Sequence, residues 1–152
     1  MAAFMDLSRL TASRTSDPVS PLEIPERALC DRFQRTYTGA INDVLREFNM
    51  MNQTLPIAIR PLRAGMVTTG IAFTIRSARE PAISLEAEMG ERAKLLEAIP
   101  ENAVCVWDTG QDDSCAHWGG MMTAAVKKRG VRGAIIDGGM SPSAIVEKGG
   151  YF

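Results

Sequence analysis

The chain has 152 residues, of which 45% are apolar and 23% charged, the size and balance of an ordinary globular domain. Its net charge of −1 gives no electrostatic basis for binding nucleic acid or an anionic membrane, and no apolar run approaches the ~18 residues of a membrane span. The three cysteines include no CxxC pair, which argues against a disulfide framework and favours a reducing cytoplasm.

The first 24 residues are rich in Ser, Thr and Ala and lack the apolar core of a secretory signal. We predict a flexible N-terminal arm over residues 1–24 and one domain over residues 25–152. From Pro25 to Met51, apolar residues recur every three or four positions and predict two helices, with Thr38 as the cap of the second. We expect both apolar helix faces to pack into the core.

The middle of the chain predicts a strand, a helix and a second strand. Met66 to Ser77 is rich in β-branched and aromatic residues, and Gly70 marks a bulge or a close approach of the backbone. Leu85 to Ile99 has the spacing of an amphipathic helix, and we expect its charged residues, including Arg92, to face water. Ala103 to Trp107 predicts a buried strand.

The stretch from Val104 to Ile145 predicts strand, loop, helix, strand and a second helix, the form of a βαβ unit in a parallel sheet. Ligands of such units bind beyond the carboxyl ends of the strands. Here those ends are Asp108-Thr109-Gly110 and Asp137-Gly138-Gly139. The helix between them has one apolar stripe, which comprises Trp118, Met121, Met122, Ala125 and Val126.

The loop after Asp108 carries further acids. Asp112 and Asp113 could bind a divalent cation, but we interpret them as caps of the following helix and keep only Asp108 as a candidate ligand. Cys115 and His117 are two residues apart and would not face each other on a helix, so a nucleophilic pair is not predicted. His117 is interpreted as a packing residue, since a single histidine makes no metal site.

Gly119 and Gly120 lie at the predicted start of the helix. Glycines at this position leave backbone N–H groups free to meet an anion at close range, although a plain structural turn fits the local sequence equally well. No GxGxxG, GxxxxGK[ST] or GxSxG pattern occurs, so the signatures of nucleotide binding and serine hydrolysis are missing.

Four segments in order resemble one known family, which contains the regulator of ribonuclease activity A (RraA) and the 4-hydroxy-4-methyl-2-oxoglutarate aldolases. The segments are Thr38–Leu45, Leu55–Arg76, Val106–Gly110 and Trp118–Gly139. The resemblance implies an α/β fold, the αβ swivelling-type domain, with a mixed sheet that contains βαβ units. It also implies homotrimers or hexamers with sites at the subunit interfaces.

The resemblance further implies a lyase reaction. Family enzymes use a divalent metal, Mg²⁺ or Mn²⁺, to cleave 4-hydroxy-2-oxo acids to pyruvate, and many decarboxylate oxaloacetate. The metal stabilises the enolate that develops as the C–C bond breaks, while backbone amides hold the carboxylate. The substrate-binding positions that the resemblance implies here are Gly119, Gly120, Met121, Met122 and Ser141.

This sequence departs from the family at the charged positions. Gly120 stands in place of an acid, Ser141 in place of an arginine and Pro142 in place of the metal-binding aspartate. Proline has no ligating atom, and serine cannot clamp a carboxylate with two hydrogen bonds. Asp137 and Asp108 are the candidate substitutes as metal ligands. We also expect the family's C-terminal strands to be missing, because the chain stops where the next strand should begin.

Two functions follow from the resemblance. The first is a metal-dependent C–C lyase acting on a small 2-oxo acid, with impaired or no activity in this chain. The alternative is a non-catalytic oligomeric protein that regulates a ribonuclease or another partner. A truncated product without independent function is a third interpretation. None of these interpretations includes nucleic acid or a membrane as a partner.

Overall fold

The structure, a computed structural model, describes residues 23–141 of the chain. Pro142, the predicted helix after it and most of the predicted N-terminal arm therefore lie outside the described residues. The chain divides after Pro56 into two compact units, which are described separately below. A single domain over residues 25–152 stays a prediction.

The described part of the first unit, residues 23–56, contains two helices, α1 (Glu26–Gln34) and α2 (Thr38–Glu47), so both predicted helices are confirmed. The predicted cap is wrong: Thr38 is the first helical residue, and the capping position belongs to Tyr37, whose side chain makes no capping hydrogen bond. The expected burial of both apolar faces is also wrong, although Cys30 is buried. Among residues 23–56, the large apolar side chains that remain exposed are Phe33, Tyr37, Val44, Phe48 and Leu55.

The second unit is an α/β arrangement around a parallel sheet. Its elements in order are β1 (Ile71–Arg76), α3 (Leu85–Ala98), β2 (Ala103–Asp108), α4 (Gly120–Lys127) and β3 (Gly133–Ile136). The strands lie in the order β1-β2-β3, each parallel to its neighbour, which makes two consecutive βαβ units and confirms the α/β class. All three described strands are parallel, so the antiparallel strand of a mixed sheet stays a prediction.

The register of the sheet brings the carboxyl ends of the strands together. Arg76 at the end of β1 pairs with Asp108 at the end of β2, and Trp107 pairs with Ile136 of β3. β2 is the central strand and is buried along most of its length, as a continuous apolar run in a parallel sheet requires. The close approach predicted at Gly70 is confirmed, because a Cβ there would lie 2.6 Å from the Asn102 carbonyl oxygen.

The core of this unit lies between the sheet and the helices, and its largest fully buried side chain is Trp118. The Trp118 ring meets the Trp107 ring edge to face at 6.3 Å. The predicted apolar stripe is only partly right: Met122 and Val126 are buried, whereas Met121 is 85% exposed. α4 has only eight residues, and the face it buries is narrower than the stripe in the sequence suggests.

None of the three cysteines forms a disulfide. Burial raises the pKa of the Cys105 thiol to about 11, so this residue is an inert core side chain. In the part of the chain that the structure describes, no helix combines the length and apolarity needed to cross a bilayer.

Candidate functional site

The carboxyl ends of β2 and β3 are joined by a side-chain contact that the sequence did not reveal. The backbone N–H and the hydroxyl of Thr109 both donate hydrogen bonds to Asp137 Oδ1, at 2.6 and 2.8 Å. These two bonds, with a third from the backbone of Gln111, hold the pKa of Asp137 below its usual value. Asp137 therefore fixes the loop after β2 to the end of β3.

Asp108, the other predicted carboxylate at the carboxyl end of the sheet, has a more exposed side chain. Its Oδ2 is 3.5 Å from Arg76 Nε, and both side chains are largely exposed. Its Oδ1 accepts a hydrogen bond from the backbone N–H of Gly110 at 3.0 Å, which closes a local turn. An exposed pair of this kind contributes little to stability.

The loop after Gly110 does not cap a helix, so the interpretation of Asp112 and Asp113 as caps is wrong. α4 begins only at Gly120, seven residues beyond Asp113. Asp112 instead closes its own turn: its Oδ1 accepts hydrogen bonds from the backbone N–H and the hydroxyl of Ser114, at 2.9 and 2.6 Å. These bonds are the main reason that the pKa of Asp112 is lowered.

The same turn brings three side chains of different chemistry together. His117 Nε2 lies 3.4 Å from Asp112 Oδ2 and 3.8 Å from Cys115 Sγ, and the three ligand atoms all lie within 4.8 Å of one another. The prediction that Cys115 and His117 would not face each other assumed a helix and is wrong, because both residues precede α4. The packing role predicted for His117 is confirmed: the residue is buried, and its ring lies edge-on to Trp107.

The loop that carries this cluster is held against the turn after β3. The Gly139 N–H donates to the Asp112 carbonyl at 2.9 Å, and the His117 N–H donates to the Gly139 carbonyl at 2.9 Å. A Cβ on Gly138 would lie 2.5 Å from the Asp112 carbonyl oxygen, so glycine is required for this close approach.

Arg92 of α3 also supports the loop. Its Nη1 donates to the His117 carbonyl at 3.0 Å, while its Nη2 lies 2.8 Å from Glu88 Oε1. The Arg92 side chain is 23% exposed, so the expectation that it faces water is wrong. The guanidinium of Arg92 therefore bridges α3 and the loop before α4.

The predicted substrate-binding residues lie around the start of α4. Gly119 occupies the capping position in an extended conformation and offers no side chain to cap the first turn. The Ser141 N–H donates to the Trp118 carbonyl at 2.9 Å, and Ser141 Cβ lies 3.7 Å from the position of a Cβ on Gly119. Gly119 and Ser141 are therefore neighbours. The Met122 side chain is buried, and that of Met121 is exposed to solvent.

The family model described as RraA-like, Aldolase/RraA, matches residues 29–149. The chain belongs to the RraA-like family. A crystal structure of novel cellulases from microbes associated with the gut ecosystem is 38% identical, with a TM-score of 0.76 over 94% of this chain and 64% of that one. No protein of curated function matches the sequence.

Two more distant structures share the fold of this RraA-like chain. Streptomyces coelicolor RraAS2, an unusual member of the RNase ES inhibitor RraA protein family, is 19% identical, with a TM-score of 0.67 over 82% of this chain and 61% of that one. The RNA-processing inhibitor RraA from Thermus thermophilis is also 19% identical, with a TM-score of 0.57 over 74% of this chain and 62% of that one. The chain thus spans less than two thirds of the length of these relatives.

In the described part of the RraA-like chain, no three carboxylates lie close enough together to bind Mg²⁺ or Mn²⁺, which prefer oxygen ligands. Asp137 Oδ1 already accepts two hydrogen bonds from Thr109, and Asp108 pairs with Arg76. Among residues 23–141, the one group of three potential ligands is Asp112, Cys115 and His117. These residues do not fit a hard oxygen-ligated ion, and Asp137 and Asp108 as substitute ligands stay predictions.

The lowered pKa of Asp137 predicts how the stability of the RraA-like chain depends on pH. The unfolded chain takes up the Asp137 proton at the ordinary pKa of about 3.9, and the folded chain takes it up only at lower pH. The ionised carboxylate therefore stabilises the fold above about pH 4, and this stabilisation is lost as the pH falls through the folded pKa. The unfolding free energies of wild type and Asp137→Asn should therefore differ at neutral pH and converge in acid. Denaturant titrations across this range measure the difference, and a gap that stays constant with pH would contradict the assignment.

Proposed function

We propose that this chain binds the carboxylate of a small 2-oxo acid, such as pyruvate or oxaloacetate, at the start of α4. It would do so as a member of the aldolase and oxaloacetate decarboxylase branch of its family, with impaired or no turnover. The observation that carries the proposal is the uncapped helix start at Gly119 with Ser141 beside it. Gly119 and Ser141 lie side by side, and the resemblance assigns both positions to substrate binding.

The chemistry of a helix start suits this ligand. The first backbone N–H groups of a helix have no partner within it, and the helix dipole places partial positive charge at the same end. Gly119 provides no side-chain oxygen that would compete for these groups. A carboxylate oxygen can accept hydrogen bonds from them, as anions do at other helix starts. Ser141 adds a hydroxyl beside this position.

Impaired turnover follows from the side chains at the same positions. Gly120 has no side chain and Ser141 carries no charge, so neither can stabilise a developing enolate as an acid-bound metal or an arginine clamp does. The divalent ion, Mg²⁺ or Mn²⁺, belongs to this proposal as the cofactor of the family reaction. We assign no catalytic step through it, because the described residues do not supply its oxygen ligands.

The description of the 38% identical structure suggests glycoside hydrolysis, but the carboxyl groups beyond the carboxyl ends of the strands do not support this reaction. That reaction needs a pair of carboxyl groups in which one has a raised pKa and acts as the general acid. Asp112 and Asp137 both have lowered pKa values because each accepts hydrogen bonds from a neighbouring serine or threonine. Both carboxyl groups are therefore poor proton donors near neutral pH.

The alternative is a non-catalytic oligomer that regulates a ribonuclease or another protein. The uncharged side chains at Gly120 and Ser141 fit this alternative, as do two structural relatives described as inhibitors of RNA processing or of a ribonuclease. For either function we propose assembly into homotrimers or hexamers. The exposed apolar side chains of α1 and α2 would suit such an interface, and light scattering on the purified chain tests it.

Ser141→Arg is expected to tighten pyruvate binding roughly tenfold. A guanidinium beside the helix start can form a bidentate, charge-assisted pair with the carboxylate, and a gain of about 1.4 kcal/mol corresponds to that factor. Calorimetric titration of wild type and variant with pyruvate measures the change. Ser141→Glu is the matched control and should weaken binding, because it places a like charge beside the ligand. Pyruvate binding that responds to neither substitution would contradict the proposed site.

The same proteins distinguish the lyase from the regulator. Pyruvate release from oxaloacetate is measured with Mg²⁺ or Mn²⁺ after subtraction of the rate without protein. We expect wild type to stay near the background rate while still binding pyruvate. Clear turnover that EDTA abolishes would exclude the non-catalytic alternative. Failure to bind pyruvate at all would instead remove the basis of the lyase assignment.

A further inference from the structure

The cluster of Asp112, Cys115 and His117 offers one oxygen, one sulfur and one nitrogen atom to the same point. When a metal bonds such atoms at about 2.0–2.3 Å with tetrahedral geometry, the ligand atoms lie about 3.3–3.7 Å apart. The observed separations from His117 Nε2 are 3.4 Å to Asp112 Oδ2 and 3.8 Å to Cys115 Sγ. All three ligand atoms lie within 4.8 Å of one another, so the side chains must close by up to about 1 Å to surround an ion, and His117 Nε2 must leave the Asp112 carbonyl oxygen, which lies 3.2 Å away.

The shared ring nitrogen distinguishes a chelating site from a catalytic triad. In a triad the acid binds Nδ1 of the histidine and the nucleophile faces Nε2, so that a proton can pass through the ring. Here the carboxylate and the thiol both face Nε2 of His117. No proton can be relayed across the ring between them, whereas a cation at that position would contact all three groups.

The surrounding hydrogen bonds hold the ligands in place. Ser114 occupies Oδ1 of Asp112 and leaves Oδ2 directed at His117. Gly139 fixes the backbone at Asp112 and at His117, and Arg92 binds the His117 carbonyl. Contacts that fix the orientation of ligand side chains raise metal affinity, because less ordering is required on binding.

We infer that Asp112, Cys115 and His117 form a binding site for a thiophilic divalent cation, of which Zn²⁺ is the best match. Thiolate and imidazole ligands select Zn²⁺ over Mg²⁺ or Mn²⁺, which prefer oxygen. Three protein ligands leave the fourth tetrahedral position for a water molecule. Cys115 is exposed, so solvent reaches the site. Binding displaces the protons carried by the ligand atoms.

Cobalt(II), which replaces zinc in such sites and absorbs visible light, is the probe. The purified full chain is titrated with Co²⁺ alone under reducing conditions, and Zn²⁺ is then added in competition. We expect one equivalent to bind, with a thiolate-to-metal charge-transfer band and the intense visible bands of tetrahedral cobalt, and Zn²⁺ to displace it. Absence of binding, or cobalt bound without the charge-transfer band, would overturn the inference.

Ligand variants make the assignment specific. Cys115→Ser should abolish the charge-transfer band, and Asp112→Asn should weaken Zn²⁺ binding about tenfold or more. Asp113→Asn is the matched control, since this neighbouring acid is exposed and lies outside the cluster. Cys30→Ala is the thiol control, and both controls should bind like wild type. A control that loses as much affinity as the ligand variants, or a Cys115→Ser variant that keeps the band, would contradict the site.

Folding is followed separately by circular dichroism of each variant without metal. Cys115 is exposed, so its substitution should leave the spectrum unchanged. The titration needs no 2-oxo acid, and its result is therefore independent of the proposed binding at Gly119 and Ser141. Pyruvate binding without zinc binding, or the reverse, identifies which of the two proposals fails.

Discussion

Trp118→Ala is expected to lower the free energy of unfolding of the second unit by about 3–5 kcal/mol, the usual cost of removing a large buried aromatic side chain. Trp118 is 0% exposed, and its indole N–H donates to the Thr123 hydroxyl at 2.9 Å. The substitution removes packing against Trp107 and leaves Thr123 with an unsatisfied buried hydroxyl. Since domains are stable by only about 5–15 kcal/mol, much of the stability would be lost.

Denaturant unfolding followed by tryptophan fluorescence measures this loss, because both tryptophans of the chain lie in the second unit. In Trp118→Ala the signal comes from Trp107 alone. Met121→Ala is the matched control on the adjacent helix. Its side chain is 85% exposed, so we expect a change below about 0.5 kcal/mol. If Trp118→Ala does not fold, Trp118→Phe should still be less stable than wild type. A Trp118→Ala variant as stable as Met121→Ala would show that the described packing is wrong.

The contrast between these two residues shows how far the sequence predicts the fold. The alternation of apolar runs with helical spacing predicts the βαβ unit from Ala103 to Ile136, because such runs are local and need a parallel sheet to bury them. The same spacing does not say which side of a short helix is covered. Met121 and Trp118 look equivalent in the sequence, but the burial of each depends on where α4 begins and on what packs against it.

The contacts of Asp137, Cys115 and His117 beyond the carboxyl ends of the strands are harder to predict from the sequence. The position of Asp137 beyond a strand end indicated a role at this edge, but its hydrogen bonds to Thr109 depend on the register of two strands. The spacing of Cys115 and His117 argues against a pair only if both residues lie on a helix, and the structure places them in a loop. An Asp-x-x-Cys-x-His spacing in a loop, rather than on a helix, is the signal that could have indicated this cluster.

The expectation that Arg92 faces water is wrong for a third reason. On an amphipathic helix a charged residue is usually solvated, and hydrophobic spacing alone cannot distinguish a solvated arginine from one that bridges to another element. Its contact with the His117 carbonyl spans 25 positions of sequence and depends on how α3 lies on the sheet. Long-range contacts of this kind follow from tertiary packing, which local patterns do not encode.

Gly139→Ala is expected to destabilise the second unit by about 3 kcal/mol. A Cβ at this position would overlap the backbone carbonyl oxygen of Cys115, and backbone cannot move aside as a flexible side chain can. Relief of the overlap would separate the turn after β3 from the loop after β2. The two backbone hydrogen bonds that Gly139 makes with Asp112 and His117 would then be lost.

Gly90→Ala is the matched control for this substitution. Gly90 lies within α3, and a Cβ there would meet no atom within 4 Å. Alanine in a helix is favoured over glycine by about 0.5–1 kcal/mol, so this variant should be slightly more stable than wild type. The two variants carry the same methyl group, and their unfolding free energies in denaturant should therefore change in opposite directions.

The pair of variants also tests whether the loop positions the metal ligands. Gly139→Ala should lose the thiolate-to-cobalt band because its loop no longer holds Asp112 and His117 against the turn after β3, whereas Gly90→Ala should retain the band. Both titrations are made at a temperature where circular dichroism shows the variant folded. Equal stability of the two variants would contradict the close approach at Gly139. An unchanged cobalt spectrum in a destabilised Gly139→Ala variant would show that the ligands are held by other contacts.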